Sequence, residues 1–478
     1  MARRAKIVAT LGPACATYDQ VLGLVVAGLD VARLNLSHGT YKDHQAIYEH
    51  VRTASDAVGR GVGILVDLQG PKIRLGMFAD GSALLTVGET FTITTDDISG
   101  DGQRVSTTYG GLAGDVGPGD TILIDDGRVS LLVNQVTDTD VITTVTEGGR
   151  VSDHKGINLP GVPVSVPAMS EKDVDDLRWG LRIGADLIAL SFVRTADDVK
   201  QVHQVMDEEG IRVPVLAKIE KPQAVDNLAE IVAAFNGIMV ARGDLGVELP
   251  LEAVPLVQKR AINMCRNASK PVIVATQMLD SMVTATRPTR AEVSDVANAV
   301  LDGADALMLS GETSVGVHPD HVIATMSRII EHVESQALNR VTDPVDDSSG
   351  STAKAMSHAA VDVANAVKAS NLIAFTETGM SARLIARWRS PTPLLAFTPD
   401  PRVRSQLALT WGVETFLVPS VAHTDDMVQQ VDKALLDIGR ANAGETVVIV
   451  AGVPPGTPGT TNGMRVHRMG RGGEGAGV

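Results

Sequence analysis

Cysteine is nearly absent from this chain: Cys15 and Cys265 are the only two in 478 residues. That excludes a disulfide framework and any zinc site built on cysteine spacing, and it fits a reducing cytosol, so a cytoplasmic location is expected. Aromatic residues make up only 3%. No run of about 18 apolar residues occurs, so no segment is expected to span a membrane, and the apolar stretch after "MARRAK" is too short for a signal peptide. No run of Lys and Arg stands out, and 42 basic against 57 acidic residues leave a net charge of −15. A nucleic-acid partner is therefore not expected, and cationic contacts to an anionic substrate must be local. Neither a P-loop nor a strand-bound GxGxxG occurs, so a nucleotide would have to be held in another way.

What the chain does have is a series of short, β-rich apolar runs. They fall at 6–12 (KIVATLG), 30–38 (DVARLNLSH), 63–70 (GILVDLQG), 187–194 (LIALSFVR), 213–220 (VPVLAKIE), 237–244 (GIMVARGD), 271–278 (PVIVATQM) and 306–312 (ALMLSGE). Helical patterns such as TRAEVSDVANAVLDG separate most of them. Near-continuous apolar strands alternating with helices indicate a parallel sheet covered on its outside, and the count is that of a (β/α)8 TIM barrel. Residues 71–167 break the rhythm with Gly, Asp and Thr turns and alternating pieces such as TFTITT, which predicts an inserted all-β domain. After the polar stretch TDPVDDSSGS, runs such as NLIAFTETG and TVVIVAG alternate with helices, predicting a C-terminal α/β domain with an open sheet. The expected division is 1–70 and 168–338 for the barrel, 71–167 for the insert, 339–470 for the C-terminal domain and 471–478 for a disordered tail.

Active sites of such barrels collect at the C-terminal ends of the strands. Those ends carry Arg33, Asn35, Ser37 and His38; Asp67, with Lys72 and Arg74 just beyond; Lys218 and Glu220; Asp244; Thr276; and Ser310 and Glu312. Alternation along a strand puts Lys218 and Glu220 on one face. Glu220 and Asp244, from neighbouring strands, can share a hard divalent cation, since Mg2+ takes one or two carboxylates and completes its shell with water and substrate oxygens. Each feature alone has a plainer reading. A Lys and a Glu on one strand can be a structural pair, Asp-Leu-Gly is commonly a turn, and RLNLSH can be the polar face of an edge strand. His44 and His50, six apart on a helix, do not share a face as zinc ligands would and read as solvated.

Taken together, KIVATLGPA, VARLNLSHG, DLQGPKIRLG, KGINLPG, AKIEKP, MVARGDLGVELP, VIVATQMLDSM, RPTRAEVSDVANAVLDGADALMLSGET and GTTN resemble pyruvate kinases of the bacterial type, from residue 6 to about residue 469. The resemblance implies transfer of a phosphoryl group from phosphoenolpyruvate to ADP, giving pyruvate and ATP, in a cytoplasmic homotetramer that uses Mg2+ or Mn2+. It implies that Lys218 stabilises the moving phosphoryl group and the enolate, that Glu220 and Asp244 hold the metal, and that Gly243, Asp244 and Thr276 hold the substrate carboxylate. Arg33 would contact the phosphoryl group, and Thr276 and Ser310 are the candidates for protonating the enolate. Asn35, Ser37, Asp67 and the Leu68 carbonyl match a monovalent-cation site, and Asn35, His38, Arg74 and Lys155 match nucleotide contacts, with Lys155 supplied by an inserted domain that closes as a lid.

In the C-terminal domain, TETGMS places Thr376, Thr378, Gly379 and Ser381 between a strand and a helix, where hydroxyls and backbone N–H groups can either cap the helix or bind phosphate. The resemblance favours an allosteric phosphate pocket covered by GVPPGTPGTTN. Val453 and Pro454 stand where members activated by a sugar bisphosphate often have Trp and Arg, so AMP or a sugar monophosphate is the expected effector. Apart from the resemblance, a strand-end lysine near a phosphate site allows a Schiff-base aldolase, a Glu–Asp metal pair allows a metal-dependent pyruvate aldolase, and a non-catalytic metabolite sensor is the remaining alternative. Many members carry Glu before the IR of GPxIR and require K+; here the residue is Lys72. A tethered ammonium delivers the same charge to the same place. Activity in sodium-free Tris should therefore change little when KCl is added, and a strong K+ requirement would show that Lys72 does not replace the ion.

Overall fold

The computed structural model describes residues 3–345, 350–457 and 459–470. The expected tail at 471–478 and part of the polar stretch after the barrel lie outside the described residues. Eight parallel strands close into a barrel: β1 (Lys6–Thr10), β2 (Val31–Asn35), β3 (Gly63–Asp67), β4 (Leu187–Leu190), β5 (Val215–Ile219), β6 (Gly237–Ala241), β7 (Val272–Ala275) and β8 (Ala306–Leu309). They follow one another around the barrel in chain order, and β8 closes onto β1 with Lys6 opposite Ala306. Every residue of these strands is buried except Asn35, which is partly exposed at the end of β2. This is why they read as continuous apolar runs rather than alternating ones: one face packs on the barrel axis and the other under the helices.

The surrounding helices begin and end where their local sequence dictates. Thr17, Thr40, Ser170 and Thr289 each cap a helix and are answered by an acid or amide in its first turn. Gly59, Gly184, Gly210 and Gly303 end helices in the left-handed conformation.

Between β3 and β4 the chain builds a six-stranded sheet in the order Ile157–Asn158, Thr121–Ile124, Val129–Val136, Asp140–Glu147, Thr90–Thr94, Arg104–Ser106, with a separate pair formed by Ser82–Leu85 and Gly149–Ser152. It has its own apolar core, centred on Phe91, Ile93, Leu131 and Val141. One helical turn, Leu112–Asp115, interrupts the expected all-β character, with Leu112 fully buried in that core.

Beyond the barrel, four parallel strands and one antiparallel edge strand form an open sheet in the order Val413–Leu417, Leu394–Thr398, Asn371–Phe375, Thr446–Gly452, Thr461–Arg468. This domain is joined to the bottom of the barrel. Ala408 and Leu409 pack in one cluster with the inward residues Val8, Val31, Leu65, Leu216, Met239 and Ile273. Trp411, 4% exposed, has the guanidinium groups of Arg4 and Arg389 over its ring, at 5.4 and 4.9 Å from the ring centre. Asp305, just ahead of β8, accepts the Trp411 N–H at 3.1 Å and pairs with Arg389 at 3.2 Å. Removing a buried Trp side chain costs about 3–5 kcal/mol. Trp411→Ala should therefore lower the first thermal transition clearly more than Trp411→Phe does, as read by differential scanning calorimetry.

Candidate active site

The strand ends assemble around one buried ammonium. Lys218, near the end of β5, places its Nζ 3.0 Å from Glu220 Oε1 and 3.3 Å from Asp67 Oδ1, and donates to Ser191 Oγ at 2.7 Å. Arg33 of β2 donates from Nε to Asp67 Oδ2 at 2.6 Å and from Nη1 to Thr10 Oγ1 at 2.8 Å. Burial alone would lower the pKa of Lys218, but Asp67 and Glu220 outweigh it and hold the ammonium above its ordinary range. Burial would likewise raise Asp67, yet Lys218 and Arg33 bring its carboxyl below the usual range. Glu220 goes the other way: burial raises it, Asp244 raises it further, and Lys218 opposes both without cancelling them.

The loops after the strands fix the remaining groups. Phe192, at φ 54°, turns its N–H onto Glu220 Oε2 at 2.7 Å. Gly70, at φ 75°, lies so close that a Cβ there would fall 2.6 Å from the Phe192 ring and 2.8 Å from Ser191 Cβ, so only glycine fits. Asp244 is not at a strand end, as the sequence suggested, but in the short helix Arg242–Glu248 that follows β6 directly. Arg242 secures that helix by donating to the Thr276 carbonyl at 2.7 Å and to Asp295 Oδ1 at 2.7 Å. Thr276 itself takes φ 72°, and its Oγ1 accepts the Gly243 N–H at 2.7 Å. A Cβ on Gly243 would meet only Thr276, at 3.4 Å or more, so packing within the chain does not require glycine there.

A cavity of about 100 Å³ is lined by Arg33, Asn35, Ser37, His38, Lys72, Lys218, Glu220 and Asp244, together with Gln69, Ser191 and Phe192. It adjoins a larger one of about 390 Å³ between the barrel and the inserted sheet, where Ser37, His38, Lys72 and Asp244 recur with Arg74, Lys155, Arg194 and Lys221. Thr276, Ser310, Asp67 and Leu68 do not line either cavity. Asp67 is spent on Arg33 and Lys218, and the Leu68 carbonyl accepts Ser191 Oγ at 2.7 Å. Ser310 donates its N–H to Glu312, whose buried carboxylate also takes the Leu279 N–H, so Glu312 orders the loops after β7 and β8. Lys155 pairs with Asp125 at 2.8 Å, and Arg74 donates to the His154 carbonyl at 3.1 Å. His38 is held below its usual range by burial and then by Lys72, Arg74 and Arg33, which keeps it neutral at neutral pH. His44, expected to be solvated, is instead buried and bonds the His38 carbonyl at 2.7 Å, because its helix turns that face inward.

The donor set suits Mg2+. Glu220 and Asp244 are hard oxygen donors that raise one another's energy when both are ionised, and Asp244 carries no side-chain hydrogen bond among the described residues. Among those residues no group of three or more His, Cys, Asp or Glu is placed to hold a metal, which disfavours zinc and matches a cation that completes its shell from water and substrate. Sequence reasoning missed Ser191, Phe192, Arg242 and Lys221. Ser191 and Phe192 follow β4 directly, the position that carries function on the other strands, and that was the available signal.

In the C-terminal domain, Thr376, Thr378 and Ser381 line a separate cavity of about 100 Å³ under Gly452, Pro455, Gly456 and Thr457. Gly379 is not among its lining residues but, at φ 81°, starts the helix Met380–Ala386.

A barrel whose strand ends gather a buried lysine, an arginine and a carboxylate pair beneath a cation-lined cleft has the form of an enzyme site for anionic substrates. The barrel-domain model of pyruvate kinase matches residues 2–323, and that of the pyruvate kinase alpha/beta domain matches residues 354–467. Pyruvate kinases of Mycobacterium intracellulare and Mycobacterium tuberculosis are 60% and 59% identical to this chain over 470 residues, covering 98% of it and 99% of each relative. A crystal structure of a pyruvate kinase from Cryptosporidium parvum superposes with a TM-score of 0.90 at 36% identity, covering 98% of this chain and 96% of that one. The chain belongs to the pyruvate kinase family and is a phosphotransferase. No helix among the described residues is long and apolar enough to cross a membrane.

Lys218→Met would leave Asp67 and Glu220 buried without their shared cation. It should reduce kcat by about 10³-fold or more if the ammonium neutralises charge in the transition state, and it should also lower the melting temperature. Ser191→Ala removes one hydrogen bond from the ammonium and should cost about tenfold at most in kcat/KM. Steady-state kinetics with thermal melts of the two variants check both expectations.

Proposed function

We propose that this chain transfers the phosphoryl group of phosphoenolpyruvate to ADP, yielding pyruvate and ATP, in the smaller cavity at the barrel mouth. The observation that carries this reading is the Lys218 ammonium held between Asp67 and Glu220, in one cavity with Arg33 and Asp244. Glu220 and Asp244 would hold Mg2+ or Mn2+, which when bound neutralises charge on the carboxylates and on substrate oxygens. Phosphoryl transfer depends on placement and charge neutralisation more than on a covalent partner. Arg33 and Lys218 supply fixed positive charge where burial makes each worth more than in water. Gly243, Asp244 and Thr276 receive the substrate carboxylate, and the bond from the Gly243 N–H to Thr276 Oγ1 at 2.7 Å supports their acting as one group.

The proton that converts the enolate to pyruvate comes by way of Thr276 or Ser310. Thr276 donates its hydroxyl hydrogen to the Ala275 carbonyl at 2.6 Å, so it would pass a proton only after that bond shifts. ADP occupies the larger cavity, with His38, Arg74 and Lys155 as its contacts and Asn35 reaching it from the adjoining smaller one, and the segment 71–167 closes over it. Lys72 lines both cavities beside Ser37, with Asn35 in the smaller one, which supports its standing in for K+. The hydroxyls of Thr376, Thr378 and Ser381 support an effector pocket for AMP or a sugar monophosphate. A cytoplasmic homotetramer is part of the same proposal, and Leu251 and Leu256, both about 70% exposed on the barrel surface, would be covered where two barrels meet.

A lactate-dehydrogenase-coupled assay tests the central reading. Pyruvate should form from phosphoenolpyruvate only with ADP present, stop on addition of EDTA and return with excess Mg2+ or Mn2+. Pyruvate released from a hydroxylated oxo-acid without ADP would point to an aldolase instead, and no turnover at all would point to a sensor.

A further inference from the structure

Glu248 closes the helix that carries Gly243 and Asp244, one turn beyond Asp244 and on the same face. It is 6% exposed and lies outside the cavity around Lys218. Its Oε1 accepts the Lys221 ammonium at 2.5 Å and the Asn158 side-chain amide at 3.1 Å, while its Oε2 is buried with no partner. A buried carboxylate with an unsatisfied oxygen is a poor source of stability, since desolvation offsets the attraction of its partner.

The partners show what it joins. Lys221 follows the candidate metal ligand Glu220 in the chain and sits 5.6 Å from the centre of the Phe192 ring, and the Phe192 N–H holds Glu220. Asn158 belongs to the inserted sheet, on the short strand that pairs with Thr121–Ile124, close in sequence to Lys155. One carboxylate therefore links the segment bearing Glu220, the helix bearing Asp244 and the domain that covers the larger cavity. We propose that Glu248 is a positioning residue, the seat on which the inserted domain docks through Asn158, so that docking and the spacing of Glu220 from Asp244 are set together. This rests on the phosphotransfer reading above for the meaning of that spacing, but not for the existence of the seat.

The test compares wild type, Asn158→Ala, Glu248→Met and the double variant by three measurements: hydrogen exchange across 150–160, Mn2+ binding to substrate-free protein by electron paramagnetic resonance, and steady-state kinetics. A lost hydrogen bond to a buried charge predicts that Asn158→Ala speeds exchange at 156–159 and raises the KM for ADP about fivefold with kcat little changed. Glu248→Met, which leaves no acceptor for Asn158 or Lys221, should do the same and also weaken Mn2+ binding about tenfold, by the same kind of loss. Because both act through one contact, the double variant should match Glu248→Met alone. Asn158 effects that persist in full in the Glu248→Met background, or Mn2+ binding that Glu248→Met leaves unchanged, would overturn the proposal. Should Glu248→Met fail to fold, Asn158→Asp sets a second carboxylate against the first without touching the barrel, and unaltered exchange in that variant would be equally decisive against it. A wild type that forms no pyruvate would sink the phosphotransfer reading, while the exchange and Mn2+ comparisons would still judge the seat.

Discussion

A single lysine ammonium enclosed by carboxylates organises the barrel mouth. Lys218 cannot be buried charged without Asp67 and Glu220, and those carboxylates cannot be buried without it or Arg33. The opposing shifts within the group follow. Asp67, matched by two cations, stays firmly ionised, whereas Glu220, sharing its cation and facing Asp244, is left with negative charge in excess of what the protein compensates. That imbalance is what the divalent cation proposed above would offset.

The loops bear the strain that this arrangement needs. Phe192, Thr276 and Gln277 all take positive φ immediately beyond strand ends, each costing of the order of 1 kcal/mol or more. In return, backbone N–H groups and carbonyls face partners they could not reach from regular geometry: Phe192 N–H reaches Glu220, and the Thr276 carbonyl reaches Arg242. The strands share one apolar frame, and the differences that matter chemically sit in their last few residues, such as Arg33, Asp67 and Lys218, and in the loops just beyond them.

This contrast also explains what could be read from the chain in advance. The barrel strands were legible because burial on both faces forces an unbroken apolar run, and Lys218 and Glu220 stood out because charge inside such a run is rare. Asp244 was found but placed at a strand end, since nothing local distinguishes an extended Arg-Gly-Asp from the first turn of a helix. His44 was misjudged because a helix histidine was read as polar, although it precedes Ile47 by three and Val51 by seven on the buried face of its own helix. The links among Lys221, Glu248 and Asn158 join three stretches far apart in sequence, and no spacing rule reports them. The turn at Leu112–Asp115 was hidden by its length, too short to show a helical period.

The barrel has no floor of its own. Ala408 and Leu409, from the far end of the chain, supply the last apolar layer beneath Val8, Leu65 and Met239. The two halves of this protein are therefore not modules on a string. Any recombination that exchanged the C-terminal sheet for another would have to bring a matching stopper with it, and partners for Arg4 and Asp305 as well.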